Sequence, residues 1–301
     1  MAFASQDYKG IVVPIISPLQ QDETIDETAL RKITRHLLDG GVHGIFVNST
    51  TGEAVCLADR EKQRALEIVL SEAKGKIPIY AGISETSTRR ALECLRWTRQ
   101  LKPDVVVAHP PYYFPPNSQD ELIQYYQALA AESPLPLMIY NIPFTTKAPL
   151  ALDTIRRLLE IDNVIGIKDS SVDYVLLLNL IELKRVRSDF RIFIGKSHMW
   201  AAGILSGADG GLDGISNLIP DRCVKLYQAI QRRDEQVYEM QREINEIWRV
   251  YECKSFLSGI KTALSLIGLC RPFVTHPVTP ATQEERERIR QILLRYHVLI
   301  Q

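Results

Sequence analysis

Net charge is the first thing this chain of 301 residues lacks, since Lys and Arg together number 36 and so do Asp and Glu. With no net field, nothing draws the chain to nucleic acid or to an anionic membrane, and its partners have to be recognised locally. The basic clusters Lys184-Arg185-Val186-Arg187 and Arg232-Arg233 fall within or at the ends of helical patterns. Solvated faces and helix C-termini account for them. Paired cysteines are missing too. Cys56, Cys94, Cys223, Cys253 and Cys270 are odd in number, scattered and never in a C-x-x-C pair. That argues against a disulfide framework and a cysteine zinc site, and fits a reducing cytosol. His43, His109 and His198 lie far apart with no ligand partner at close spacing, so they read as structural and no metal is expected. Nowhere do 18 apolar residues run together, and residues 1–7 lack the basic start and apolar core of a signal peptide. The expectation is a cytoplasmic protein with no membrane span. No G-x-G-x-x-G follows the first apolar run, which removes the usual mark of a dinucleotide-binding sheet, and no cofactor is expected.

What is present is an ordinary soluble-enzyme composition, 46% apolar and 24% charged, with enough apolar material for a sizeable core. Short apolar runs recur roughly every 30 residues, at 11–16, 42–47, 77–81, 105–108, 137–140, 164–168, 191–194 and 210–215. The last is Gly-rich and would be a poor strand alone. Helical patterns fill the intervals at 26–39, 59–73, 88–100, 119–131, 152–160, 172–187, 199–205 and 220–232. Asp26 stands at one start as an N-cap, and Ser118 with Glu121 has capping-box spacing. Eight alternating units fit a closed (β/α)₈ TIM barrel of the α/β class better than an open doubly wound sheet. Three further helical patterns, 235–251, 254–266 and 283–296, exceed the barrel's outer ring. The division is therefore a catalytic barrel, 1–233, and a C-terminal helical extension, 234–301, expected near a subunit contact.

In such a barrel the residues that follow each strand form one ring at the C-terminal face. Lys168 closes the run 164–168, and a lysine there is costly to bury unless its amine has chemistry to do. Tyr140 closes the run before it. An amine beside a phenol points to Schiff-base chemistry on a carbonyl. The ring also holds Asn48-Ser49-Thr50-Thr51-Gly52-Glu53, His109-Pro110-Pro111-Tyr112-Tyr113-Phe114, Tyr140-Asn141-Ile142-Pro143 and Gly166-Ile167-Lys168-Asp169.

These segments resemble the dihydrodipicolinate synthase and N-acetylneuraminate lyase family, the pyruvate-dependent class I aldolases. The T-T-G-E loop is Thr50 to Glu53, P-Y-Y is Pro111 to Tyr113, Y-N-x-P is Tyr140 to Pro143, G-x-K is Gly166 to Lys168, and the strand-8 loop is Gly-Leu-Asp-Gly-Ile-Ser-Asn at 211–217. The resemblance implies catalytic roles for Lys168 as Schiff-base nucleophile, Tyr140 as proton shuttle, Thr51 as relay, and Tyr113 reaching a neighbour's site across a dimer contact. Pyruvate's ketone needs a neutral amine, which a low-dielectric pocket favours. Its carboxylate needs donors that do not attack, which Thr50, Thr51 and Gly52 offer. Glu53 is a structural residue of the loop in the family. A homotetramer of two tight dimers is implied, with pyruvate and an aldehyde as small-molecule partners.

Departures bear on the aldehyde. The synthase branch carries an arginine two residues after the Pro of Y-N-x-P, where this chain has Thr145, so a carboxylate clamp is lost. Lys147, nearby, is a candidate replacement, though a flexible point charge is a poorer clamp. The sialic-acid branch has acidic residues after strand 7, where this chain reads Gly195-Lys196-Ser197-His198. Thr145, Ser197 and Asp213 read as a polyol-binding wall, with Gly195 and Leu212 beside them in the substrate site. The Pro110–Pro115 run is similar to that of 2-keto-3-deoxygluconate aldolases. The expected activity is therefore a lyase that forms or cleaves a 2-keto-3-deoxy sugar acid from pyruvate and a small hydroxy-aldehyde. The alternatives are 4-hydroxy-tetrahydrodipicolinate synthase, a keto-deoxy sugar-acid dehydratase, and a keto-acid-binding regulatory protein without chemistry.

Overall fold

The computed structural model describes residues 8–299, so the segment 1–7 read against a signal sequence lies outside the described residues. Eight parallel strands close into a barrel in the order β1 to β8. They are β1 Gly10–Pro14, β2 Gly44–Val47, β3 Ile79–Gly82, β4 Val105–Ala108, β5 Leu137–Asn141, β6 Val164–Asp169, β7 Arg191–Ile194 and β8 Gly210–Gly211. Around them stand α1 Glu27–Asp39, α2 Asp59–Ala73, α3 Thr88–Leu101, α4 Gln119–Glu132, α5 Pro143–Thr146, α6 Leu152–Leu158, α7 Tyr174–Glu182, α8 Trp200–Leu205 and α9 Pro220–Gln231. The extension holds α10 Val237–Trp248, α11 Phe256–Leu266 and α12 Gln283–Arg295.

Alternation along the strands makes two apolar layers. Val12, Phe46, Tyr80, Val107, Met138, Ile165 and Phe193 fill the barrel interior. Ile11, Val13, Ile45, Val47, Ile139 and Ile167 join the layer under the helices.

The eighth unit differs from expectation. Only Gly210 and Gly211 pair as a strand, and the chain then turns into a 3₁₀ segment, Gly214–Asn217. A Cβ on Gly210 would stand 1.9 Å from the Gly10 carbonyl oxygen, and one on Gly211 would strike the Trp200 ring at 2.2 Å. Asn217 then fastens the seam: its amide accepts from Ile16 N–H (3.1 Å) and donates to the Pro14 carbonyl (2.9 Å).

Helix starts follow capping chemistry. Asp26 accepts from Ala29 N–H, and Ser118 from Glu121 N–H. The Glu121 carboxylate accepts from Asn117 N–H rather than closing the expected box; the complete box is Thr282 with Glu285, opening α12. The pattern 172–187 is helical only from Tyr174 to Glu182, followed by a 3₁₀ turn, because Val172 has a left-handed φ of 64° and Asp173 is the N-cap.

The extension is tied to the barrel by buried polar contacts. Gln241 of α10 accepts from Ala201 N–H and donates to the Ser197 carbonyl, both at 2.9 Å. Lys261 of α11 forms an ion pair with Glu53 in which both side chains are fully buried. All five cysteines are free. Among the described residues no helix is long and apolar enough to cross a membrane, and no group of three or more His, Cys, Asp or Glu is placed to hold a metal ion.

Candidate active site

A bulge in β6 decides where Lys168 points. Leu137 pairs with Val164 but Met138 with Gly166, so Ile165 is an extra residue in the ladder. Ile165 faces the barrel interior and Ile167 the helices, and Lys168 then turns back inside. It is 3% exposed, with its Nζ 3.8 Å from the centre of the Tyr140 ring and 5.4 Å from that of Phe46. Tyr140 lies directly across the ladder from Lys168 and meets Phe46 and His109 edge to face. Among the described residues no carboxylate is within ion-pair reach of Lys168. The neighbouring Asp169 turns away, accepting from Asn141 (2.7 Å) and from the Ser171 hydroxyl (2.8 Å). Burial raises its carboxyl above the usual aspartate range.

Lys168 and Tyr140 open into a cleft of about 430 Å³ at the C-terminal ends of the strands, together with Thr50, Thr51, Gly195, Leu212 and Asp213. The Thr50–Thr51 turn is held by its neighbours. Ser49 Oγ accepts from Gly52 N–H (3.2 Å), Ser17 donates to the Gly52 carbonyl (2.7 Å), and Glu53 N–H donates to the Thr50 carbonyl. Glu53, at φ 57°, is buried, and its carboxylate takes Thr275 N–H and Oγ1 at 2.8 Å besides Lys261. The N–H groups of Thr50 and Thr51 have no protein acceptor among the described residues. They remain available to an anion in the cleft.

His109 lies behind Tyr140 rather than in the cleft. Its Nδ1 is 2.8 Å from the Pro110 carbonyl, which can only accept, so Nδ1 carries the proton. Burial, opposed by that hydrogen bond, pushes the imidazole down to about 4.

Comparison with known proteins agrees with this architecture. The profile of the dihydrodipicolinate synthetase family matches residues 7–295. The chain belongs to that family. It is 31% identical over 296 residues to an uncharacterised DapA-like lyase of Thermococcus kodakarensis, covering 95% of this chain and 99% of the relative. It is 30% identical over 295 residues to a 4-hydroxy-tetrahydrodipicolinate synthase of Methanospirillum hungatei, covering 96% and 99%. The solved dihydrodipicolinate synthase of Bacteroides thetaiotaomicron superposes with a TM-score of 0.92 at 34% identity, covering 97% of this chain and all of that one.

Within the dihydrodipicolinate synthetase family fold, four expected site residues lie outside this cleft. Gly52 spends its N–H on Ser49 of its own loop and its carbonyl on Ser17, after β1. Thr145 is on α5, exposed, with its hydroxyl donating to the Ile142 carbonyl (3.1 Å). Ser197 is fully buried in the turn before α8, its N–H donating to Asp213. Tyr113 is 82% exposed, at φ 73°, beside an equally exposed Phe114. Lys147 turns its Nζ onto the Phe144 carbonyl and is also outside. The polyol wall therefore reduces to Asp213, whose two oxygens already accept from Ser197 N–H (2.8 Å) and Ile215 N–H (3.0 Å).

In its place stand residues the sequence reading passed over. Phe144, Ser170, Ser171 and Val172 line it, as do Trp248, Tyr251 and Phe256 of the extension, whose rings pack in sequence against one another. Lys196 joins them with its Nζ 3.5 Å from the centre of a Trp248 ring. Lys196 directly follows Gly195 after β7, so the strand-end rule was enough to find it; the aromatic wall comes from outside the barrel repeat and left no such signal.

Proposed function

We propose that this protein is a pyruvate-dependent class I lyase that forms or cleaves a carbon–carbon bond through a Schiff base on Lys168. The observation that carries the reading is the pairing of Lys168 with Tyr140 across β5 and β6, lining a cleft whose Thr50–Thr51 turn offers N–H groups with no protein acceptor among the described residues. The Lys168 amine adds to the ketone of pyruvate and water leaves, giving an iminium. Loss of a methyl proton then makes an enamine, whose carbon attacks an aldehyde; in reverse, the iminium accepts the electrons of the breaking bond. Tyr140 is the group placed to carry the proton, and Thr51, in the same cleft, is its proposed relay. Tyr113, exposed in a single chain, is proposed to reach the site of a neighbouring subunit within a dimer of dimers.

The acceptor expected from the sequence, a small hydroxy-aldehyde, has lost two of its three proposed contacts with Thr145 and Ser197. A second reading, 4-hydroxy-tetrahydrodipicolinate synthesis, is favoured by the relatives that carry that name. Steady-state turnover of pyruvate with aspartate semialdehyde, set against glyceraldehyde, decides between them.

Borohydride reduction in the presence of pyruvate, followed by peptide mapping, tests the common mechanism. The expected result is one reduced adduct, on Lys168, absent from Lys168→Ala. A folded protein with no adduct would overturn the mechanism in favour of keto-acid binding without chemistry.

A further inference from the structure

The cleft holds a second lysine that the Schiff-base chemistry does not use. Lys196 is half-buried, and burial draws its ammonium below the usual lysine range while Asp213 draws it the other way. An ammonium carries three donors. Here it has the face of Trp248 on one side and, among the described residues, no hydrogen-bond acceptor and no carboxylate in ion-pair reach. Asp213, the nearest acidic group to act on it, is occupied by the backbone of Ser197 and Ile215. A second polar group in the same cleft is also unpaired. Tyr251 is 7% exposed, its hydroxyl has no partner, and a Cβ on Gly214 would meet it at 2.5 Å and the Thr51 side chain at 3.0 Å, so the two lie on the same side of that glycine. An unfilled ammonium set in an aromatic wall, with a buried and unpartnered phenol in the same wall, describes a subsite for an oxyanion attached to an apolar body.

We propose that Lys196 is the residue that selects the second substrate, holding the carboxylate of an aldehyde whose carbon skeleton lies against Trp248, Tyr251 and Phe256. This rests on the pyruvate reading above, and deepens it by naming the class of acceptor. The positive charge at the acceptor end comes from the loop after β7, with its aromatic platform supplied by the extension, rather than from the segment after Tyr140-Asn141-Ile142-Pro143. Trp248 fixes the ammonium in place by cation–π contact, so that it meets a carboxylate without first being ordered.

The test compares succinic semialdehyde with butanal, two four-carbon aldehydes that differ in the terminal carboxylate, each with pyruvate. The reading is the ratio of their kcat/KM values, in which intrinsic reactivity cancels between enzyme variants. In the wild type succinic semialdehyde is the preferred acceptor. In Lys196→Gln the ratio falls by about tenfold to a hundredfold, through the KM for succinic semialdehyde, as expected for losing a charge-assisted contact in a partly dry site. Lys196→Arg keeps the ratio within about threefold, because a guanidinium also stacks on an indole. Trp248→Leu, which leaves the charge but removes its platform, lowers the ratio by less than Lys196→Gln.

A ratio unchanged in Lys196→Gln, or a wild type that prefers butanal, overturns the proposal. If neither aldehyde turns over, thermal shift of the pyruvate-trapped enzyme reads the same preference: stabilisation by succinic semialdehyde that depends on Lys196 supports it, and equal shifts by the two aldehydes overturn it. Failure of the underlying mechanism looks different, since the wild type then gives no pyruvate adduct on Lys168. An adduct mapped to Lys196 would overturn both, by making it the nucleophile.

Discussion

Lys261 and Lys168 are both buried lysines, and their surroundings assign them opposite tasks. Lys168 faces aromatic rings and an open cleft, with no carboxylate in ion-pair reach of its amine among the described residues. Lys261 is sealed against Glu53 with neither side chain exposed; burial pulls its ammonium down and Glu53 holds it up. The pair links the Thr50–Thr51 turn to α11, with Thr275 supplying the remaining donors to Glu53. Replacing one partner of such a pair leaves an uncompensated buried charge, whereas replacing both removes the problem. Lys261→Met is therefore expected to destabilise the protein by about 3–5 kcal/mol, and the double change Lys261→Met with Glu53→Gln by clearly less. Urea unfolding of the three proteins checks this. Equal losses in the single and double variants would mean that the contact matters as packing and not as charge. Glu53 is thus a structural residue, and its task is to position the loop proposed to hold the pyruvate carboxylate.

At the scale of elements, the barrel closes at its weakest strand. β8 pairs through only two residues, and both must be glycine because the Gly10 backbone and the Trp200 ring occupy the space a Cβ would need. Gly210→Ala cannot be relieved by turning a side chain, since the obstacle is the carbonyl of β1. We expect a loss of about 3 kcal/mol or failure to fold, at the upper end of overpacking effects; a urea midpoint equal to that of the wild type would refute the close-approach argument. The same glycines explain what the sequence did and did not disclose. Seven strands were legible because buried parallel strands are continuous apolar runs. The eighth was legible only from the count, since a strand chosen for thinness has no apolar signature. Lys168 could be read from the cost of burying its charge. Thr145 and Ser197 were misplaced because adjacency to a strand end does not fix side-chain direction: α5 rotates Thr145 onto the Ile142 carbonyl, and the turn before α8 folds Ser197 inward. The β6 bulge, which aims Lys168, leaves no mark in the apolar pattern at all. Trp248, Tyr251 and Phe256 reach the cleft from helices whose periodicity says only that they pack somewhere.

For the molecule as a whole, the way it buries its histidines sets its response to acid. Burial beside Tyr112 and Tyr140, with Lys168 near enough to oppose a further positive charge, pushes His109 down to about 4 against the hydrogen bond to the Pro110 carbonyl. Burial also lowers His36, His43 and His198, the last with help from Lys196. An unfolded chain protonates its histidines near 6.5, well before the folded one can. As pH falls below that value the unfolded state therefore binds more protons, and stability declines until the folded-state value is passed. The contribution of His109 is fully present above pH 6.5 and is lost between 6.5 and about 4, amounting to roughly 3 kcal/mol at most. Carboxylates that are held low, such as Asp221 and Glu72, lose their contribution only from about pH 5 downward, so they overlap the lower end of this window and leave its upper part to the histidines. Thermal melts between pH 7.5 and 4.5 should thus show the midpoint falling through the window in the wild type and falling less steeply in His109→Gln, whose side chain is neutral in both states. Parallel curves for the two proteins would show that His109 is not the group being protonated on unfolding. Because His109 supports the Tyr140 ring from behind, the same measurement also reports whether the wall of the cleft stays neutral across the pH range in which an amine at Lys168 would have to work.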